Sequence, residues 1–279
     1  MKLVIWTAAL MLAQGPPATE TTDAKAFLAS LKAVLRTEKT PDRVNSFTAD
    51  VLVNVRTKGA NADVNATIDF HRPRYLKTVV TEQGKRKVQA LTDDGPWMQQ
   101  QGAPAYWATG KEYGTDRKSI HRNVAVASAM TRYLYPDREL AKLDTLEKLV
   151  KVDKKWGRGA SIPTYRVRGV AKNGSAWALA LTPGHKDAVR VTAWFRRKDR
   201  YPIAVRLEPL GARGELVGPL EELRFYDHQK HDALILPGVV RFFASKPGSK
   251  RLPLVQTVTI KKFGANPSKL TPDSFEKPG

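Results

Sequence analysis

The sequence predicts a mainly β protein with helices, of the α+β class: one large, strongly curved antiparallel sheet with helices packed on one face. Three observations lead there. Apolar and polar residues alternate over many short segments, which is the period of a half-buried strand. Turn signatures such as Asp93-Asp94-Gly95 and Asn173-Gly174 stand between those segments, as two-residue hairpins prefer. Apolar residues at three- and four-residue spacing, the mark of a helix, occur once near the N-terminus and again in the middle of the chain.

In chain order, residues 16–22 read as a flexible leader. From Asp23, the positions Phe27, Leu28, Leu31, Val34 and Leu35 form one helical stripe, with Thr22 or Asp23 as cap and Pro41 beyond its end. The period then changes to two. Phe47, Ala49, Val51, Val53 and Val55 alternate, Lys58-Gly59-Ala60-Asn61 turns the chain, and Val64, Ala66, Ile68 and Phe70 answer. Arg72-Pro73 ends that strand, because proline cannot donate to a ladder. Segments 75–81, 87–91 and 96–101 extend an antiparallel meander. Residues 102–116 are irregular. Two helices are expected next, over 117–135 (Ile120, Val124, Ala127, Met130, Leu134) and 137–150 (Leu140, Leu143, Leu146, Leu149), broken at Pro136. Tyr165, Val167 and Gly169 resume the strands, answered across Asn173-Gly174 by Trp177, Leu179 and Leu181. Segments 189–197 and 201–208 pair across Lys198-Asp199-Arg200, and 223–228, 239–244 and 255–263 complete the sheet. Residues 272–279 read as a tail. No linker divides the chain, so 16–279 are expected to form a single domain with a helical insertion at about 117–150.

The 279 residues are enough for a large core without covalent staples, and cysteine is absent. That excludes disulfides, thiolate metal sites, cysteine nucleophiles and a lipidated cysteine. Met1-Lys2, an apolar run over 3–13 and then Gln14-Gly15-Pro16-Pro17 read as a secretory signal of residues 1–15, too short to span a bilayer. An exported, soluble product without a lipid anchor is expected. The formal net charge is +20. Nucleic acid is discounted as a partner, because the cations are spread along the chain. Clusters such as Lys85-Arg86-Lys87 and Arg196-Arg197-Lys198 stand beside turns. The charge suits weak attraction to anionic lipid headgroups or to an acidic partner, and serves solubility equally well.

Catalytic patterns are lacking. Gly102 and Gly110-Lys111 fail the phosphate-loop spacing, and Glu112 stands where a magnesium-binding hydroxyl belongs. There is no G-x-S-x-G elbow and no H-E-x-x-H helix. His228 and His231 lie three apart on a strand, which points them to opposite faces, so no metal or other cofactor is expected. Asp93-Asp94 suits a hairpin tip better than acid–base work. The aromatics Phe70, Tyr75, Trp97, Trp107, Trp177, Trp194 and Phe225 are distributed over the sheet, and together they suggest an apolar pocket with few polar groups.

The order of certain motifs resembles the LolA/LolB-like superfamily, the outer-membrane lipoprotein carriers and their relatives. Val44-Asn45-Ser46-Phe47-Thr48-Ala49 opens the first strand, Phe70-His71-Arg72-Pro73 and Tyr75-Leu76-Lys77 follow, and Thr92-Asp93-Asp94-Gly95 precedes Trp97. Trp194-Phe195, Tyr201-Pro202-Ile203, Glu222-Leu223-Arg224-Phe225-Tyr226 and Leu236-Pro237 resemble its later strands. The resemblance implies a half-open β-barrel with a helical lid over an apolar cavity, in a periplasmic protein. It implies Arg72 as the latch of that lid, Met130 and Leu134 on the lid's inner side, and the seven aromatics as cavity lining. The function it implies is a non-catalytic, monomeric carrier of lipid or lipoprotein acyl chains. The alternative of the same fold is an envelope-stress sensor or regulatory module that binds a membrane protein. The chain is longer than the best-known carriers, with a large insertion between Gly102 and Lys155.

Overall fold

The computed structural model describes residues 23–57, 60–72, 75–82, 84–108, 127, 132–156, 160–172, 188–231, 233–246, 249 and 251–278. The expected signal segment, Met130, the Asn173-Gly174 turn and the strand at Trp177 lie outside them.

Helix α1 (Ala24–Leu35) starts where its cap is expected, with the Asp23 carboxylate accepting from the Lys25 amide at 2.8 Å. Its stripe of Phe27, Leu28, Leu31 and Leu35 is buried. A meander follows: β1 (Ser46–Thr57), β2 (Ala60–His71), β3 (Tyr75–Glu82), β4 (Lys85–Leu91), β5 (Pro96–Gln100) and the short β6 (Tyr106–Trp107). After helix α2 (Pro136–Ala141) come β7 (Thr145–Leu146), β8 (Val150–Trp156), β9 (Ala160–Ala171), β10 (Val189–Arg196), β11 (Pro202–Pro209), β12 (Glu221–His231), β13 (Leu234–Ala244) and β14 (Leu254–Ala265).

All fourteen strands belong to one sheet, in the order β6-β5-β4-β3-β2-β1-β14-β13-β12-β11-β10-β9-β7, with β8 also on β9. Among the described residues every pairing is antiparallel, and the two ends of the order do not pair, so the sheet they form is not closed. The two meanders are joined where β1 meets β14, with Val51 opposite Ile260.

Alternation divides the sheet into an inner face, which carries the helices, and an outer face. On the inner face, α1 and α2 pack with Val167, Val191, Ala193, Phe195 and Leu207 of β9, β10 and β11. Across β1–β3 and β12–β14, the inner face is covered by Ala127 and Tyr133–Leu134–Tyr135.

Three expectations are corrected. The second helix ends at Ala141, not near 150; Thr145 and Leu146 are instead a strand on β9. Leucines spaced strictly by three fall about 60° short of a full turn at each step, so Leu140 and Leu149 would sit on opposite sides of a helix. The alternative is favoured by Gly169 of β9, where a Cβ would meet the Thr145 carbonyl oxygen at 2.1 Å, so only glycine admits β7 this closely. Second, residues 150–156, where the periodicity predicted no strand, form β8, paired with β9 from Val150 opposite Arg166 to Trp156 opposite Ala160. This hairpin runs past the end of β10 and covers the outer face, packing Val152, Trp156 and Ile162 on Trp194, Ile203 and Ala204. Third, the C-terminal tail is anchored. A 3-10 turn (Pro272–Phe275) buries Phe275 completely, and the Trp97 indole donates to the Phe275 carbonyl at 2.8 Å.

Candidate functional site

The inner face over β1, β2, β13 and β14 is largely apolar, with Gln256 of β14 buried opposite Phe242. Phe47, Ala49, Val51, Ile68, Ala127, Val240, Val258, Ile260 and Phe263 line a cavity of about 20 Å³. That is room for roughly one water molecule. Cross-strand register assembles it: Phe47 opposes Phe70, Ala49 opposes Ile68, and Val258 opposes Val240. The Phe47 ring stacks on Phe263 at 5.1 Å and meets Phe70 at 5.4 Å. From the covering segment, the Tyr133 ring stands edge-on to Phe225 at 4.8 Å, and Leu134 is buried beside it. The Tyr133 hydroxyl is buried with no hydrogen-bond partner among the described residues, and burial raises its pKa well above the ordinary value.

Polar contacts hold this cover at its rim. Arg72 follows β2 directly, with its amide donating to the Asn45 carbonyl at 2.8 Å, and its guanidinium pairs with Glu139 of α2 at 3.4 Å. Lys142 reaches the same carboxylate at 3.4 Å. Burial alone would raise the Glu139 carboxyl, but Arg72, Lys142 and Arg132 together hold it below the usual glutamate value. Arg132 is buried here, and desolvation pushes it down to about 10 despite the Glu139 charge. A second strap ties α2 to the end of α1, where Arg36 pairs with Asp137 and lies over the Tyr135 ring at 5.0 Å. The Tyr135 hydroxyl donates to the Pro41 carbonyl at 2.5 Å.

The residues singled out from sequence divide between the two faces. Phe70, Phe225 and Leu134 come together in the inner core, and Arg72 meets α2. Tyr75, Trp97, Trp107 and Trp194 do not join them. Tyr75 opposes His71, one residue out of step with Phe70 and Leu76, and its ring lies 5.9 Å from Phe275 on the outer face. Trp97 opposes Ala90 and packs with Val88 and Val79 beneath the C-terminal turn. Trp107 opposes Trp97 and is 40% exposed. Trp194 alternates with the inward Ala193 and Phe195 and lies under the β8–β9 hairpin. A one-residue step along a strand reverses the face, and both faces here have an apolar cover. The cavity's lining therefore comes largely from residues not singled out as site residues, notably Phe47, Ile68, Val240, Val258, Ile260 and Phe263. The alternation of β1 with the matching half-periods of β2 and β14 was the signal that marked them.

The outer face has one buried charge centre. Glu222 is fully buried, accepting from Lys154 at 2.9 Å, Arg206 at 2.8 Å and Arg224 at 2.6 Å. Burial would raise this carboxyl, but the three cations hold it below its ordinary value. Burial pushes Lys154 down to about 8. Lys154 also stands 3.8 Å from the Trp194 ring centre, and Arg224 4.2 Å from that of Phe243. His228 contacts the Pro202 carbonyl at 3.1 Å between Tyr133 and Tyr201, and Asp93 accepts from Tyr75. Among the described residues, no three His, Asp or Glu side chains gather as a metal site would need, and no helix is long and apolar enough to cross a membrane.

No family profile matches the chain, and no curated protein matches it. Solved structures do. The chain is similar to a LolA superfamily protein from Nitrosomonas europaea, at 11% identity over 92% of this chain and 99% of that one, with a TM-score of 0.49. It is also similar to a DUF1329 family protein from Desulfovibrio piger, at 10% identity over 90% and 95% of the two chains and a TM-score of 0.47. A third is described as an outer-membrane lipoprotein-sorting protein domain from Vibrio parahaemolyticus, at 10% identity over 91% and 96% and a TM-score of 0.45.

Proposed function

We propose that this chain is a non-catalytic periplasmic carrier that shelters lipid or lipoprotein acyl chains against its inner face, beneath a lid formed by the segment that ends in α2. The observation that carries this reading is the way the inner face is covered. Its cover at Tyr133, Leu134 and Tyr135 belongs to no strand ladder and is tied at the rim by Arg72–Glu139 and Arg36–Asp137. Such a cover can be exchanged for a ligand of the same character. An acyl chain that replaces it regains about 25 cal/mol for each Å² of apolar surface kept from water. The cost is the ordering of the chain and the two ion pairs opened. A cavity of about 20 Å³ describes the closed, unloaded state, and loading requires the lid to swing out.

Native mass spectrometry of the protein from about Pro16 onward, purified from an envelope fraction without detergent, tests the reading. An added mass that dissociates as phospholipid or acylated peptide is expected. Arg72→Ala removes an ion pair that loading must open, and is expected to raise the loaded fraction severalfold. An unchanged loaded fraction removes Arg72 from the latch. The small cavity favours a second reading, an envelope sensor that binds a membrane protein. A clean apo mass together with no uptake of fluorescent fatty acid selects that reading over the carrier.

A further inference from the structure

The loop between β11 and β12 is built to hold two apolar side chains in water. Leu210 bridges Leu216, the Gly211 amide donates to the Glu215 carbonyl at 2.8 Å, and the Val217 amide donates to the Pro209 carbonyl at 3.1 Å. Gly214 closes the turn with φ +79, a conformation other residues adopt only with strain. At Gly211 a Cβ would lie 2.4 Å from the Glu215 carboxylate and 2.5 Å from a Val217 methyl, so the turn is packed against itself. This tight turn points Leu216 and Val217 outward, 50% and 48% exposed, more than any other large apolar residue described. An isolated exposed leucine is unremarkable on a protein surface. An adjacent pair that a closed turn holds about half exposed is a different arrangement, because it keeps a joint apolar surface in water.

The neighbouring loop supplies the charge. β12 and β13 pair with Glu221 opposite Ala244, which brings the β13–β14 loop alongside. The two loops are joined by reciprocal bonds, Ser245 amide to Leu220 carbonyl and Leu220 amide to Ser245 hydroxyl, both 2.8 Å. From Ser245 to Pro253 the sequence carries Lys246, Lys250 and Arg251 and no acidic residue, and Lys246 and Arg251 are exposed. Arg213 is exposed within the first loop, where Glu215 is the one acidic residue.

We propose that this end of the sheet is a docking surface for an anionic lipid bilayer. Leu216 and Val217 enter the headgroup–acyl boundary, and Arg213, Lys246 and Arg251 rest on lipid phosphates. Two apolar side chains of this size bury too little surface to hold a protein at a membrane alone, and a few cations alone give only diffuse attraction. Together on one rigid tip they form the two-part signal that peripheral binding needs. The bilayer is preferred over an acidic protein because the exposed cations stand on loops beside exposed apolar side chains, and a phosphate layer over acyl chains meets both.

Flotation with phosphatidylcholine vesicles, with and without phosphatidylglycerol, tests the proposal. The wild-type protein is expected to bind only the anionic vesicles, more weakly as salt rises. Leu216→Ser/Val217→Ser leaves the net charge unchanged and is expected to weaken binding about tenfold. Lys246→Ser/Arg251→Ser is expected to weaken it about tenfold or more and to flatten the salt dependence. A single Leu216→Trp variant, excited beside the native tryptophans and compared with wild type, is expected to add a blue-shifted component quenched by brominated lipid. Wild-type-like binding by the apolar double variant, or no added quenching from Leu216→Trp, overturns the proposal and leaves only the attraction of a +20 protein to negative lipid. Failure of the wild type to bind anionic vesicles overturns it as well. None of these outcomes bears on the inner face, so the carrier reading stands or falls separately.

Discussion

At the residue scale, the two buried glutamates bear the most consequence. Glu222 is surrounded by Lys154, Arg206 and Arg224, and Glu139 by Arg72, Lys142 and Arg132; the cations hold both carboxyls below their ordinary value. A folded pKa below the unfolded one means the contribution is fully present above the unfolded glutamate value of about 4.3. It is lost as pH falls through the folded values. Glu222→Gln leaves buried cations uncompensated and is expected to cost about 3–5 kcal/mol at neutral pH, measured by urea unfolding. Its stability is also expected to decline less than that of wild type between about pH 4.5 and pH 2. A parallel decline would show that other carboxylates govern acid unfolding. The pairing of these residues was not legible in the sequence, because Lys154 and Glu222 meet only when the β8–β9 hairpin lies on the outer face. Arg72 was singled out only through the resemblance, and the structure pairs its guanidinium with Glu139. The large aromatics misled for a related reason. Trp97 and Trp194 look like cavity lining because large rings at strand positions suit any covered face, and the sequence does not number the faces.

At the scale of elements, period and turn chemistry located the described strands other than β6, β7 and β8, since alternation and hairpin residues are local properties. What escaped depended on distant contacts. β7 exists because Gly169 leaves room for it, and α2 ends early for the same reason. The C-terminal turn has no periodicity and is fixed by one ring and one hydrogen bond: Phe275 is fully buried and its carbonyl accepts from the Trp97 indole. Phe275→Ala is expected to cost about 3–5 kcal/mol, by loss of a buried aromatic and the space it leaves. Tryptophan emission should shift to the red in the native state as Trp97 becomes wetter. A variant with wild-type unfolding and emission would show that the turn is only laid on the surface.

At the scale of the whole molecule, the +20 charge sets a repulsion that the fold must withstand. Raising salt from about 10 mM to about 150 mM shortens the screening length from about 30 Å to about 8 Å. The melting temperature is expected to rise over that range, because the innermost ion pairs are too buried to be screened while the exposed cations repel one another. A fall would mean that exposed pairs such as Arg197–Asp153 contribute more than the repulsion costs. The single sheet was legible as a class, and its seam was not. The first strand pairs with the last, Val51 with Ile260, so the middle of the sheet is made from the two extremes of the chain. A chain folded without β14 lacks the strand that joins its halves. Each meander can curl on its own beforehand, but the inner face has no continuous floor until the last strand arrives. Completion of the sheet is thus slow by the measure of contact distance along the chain.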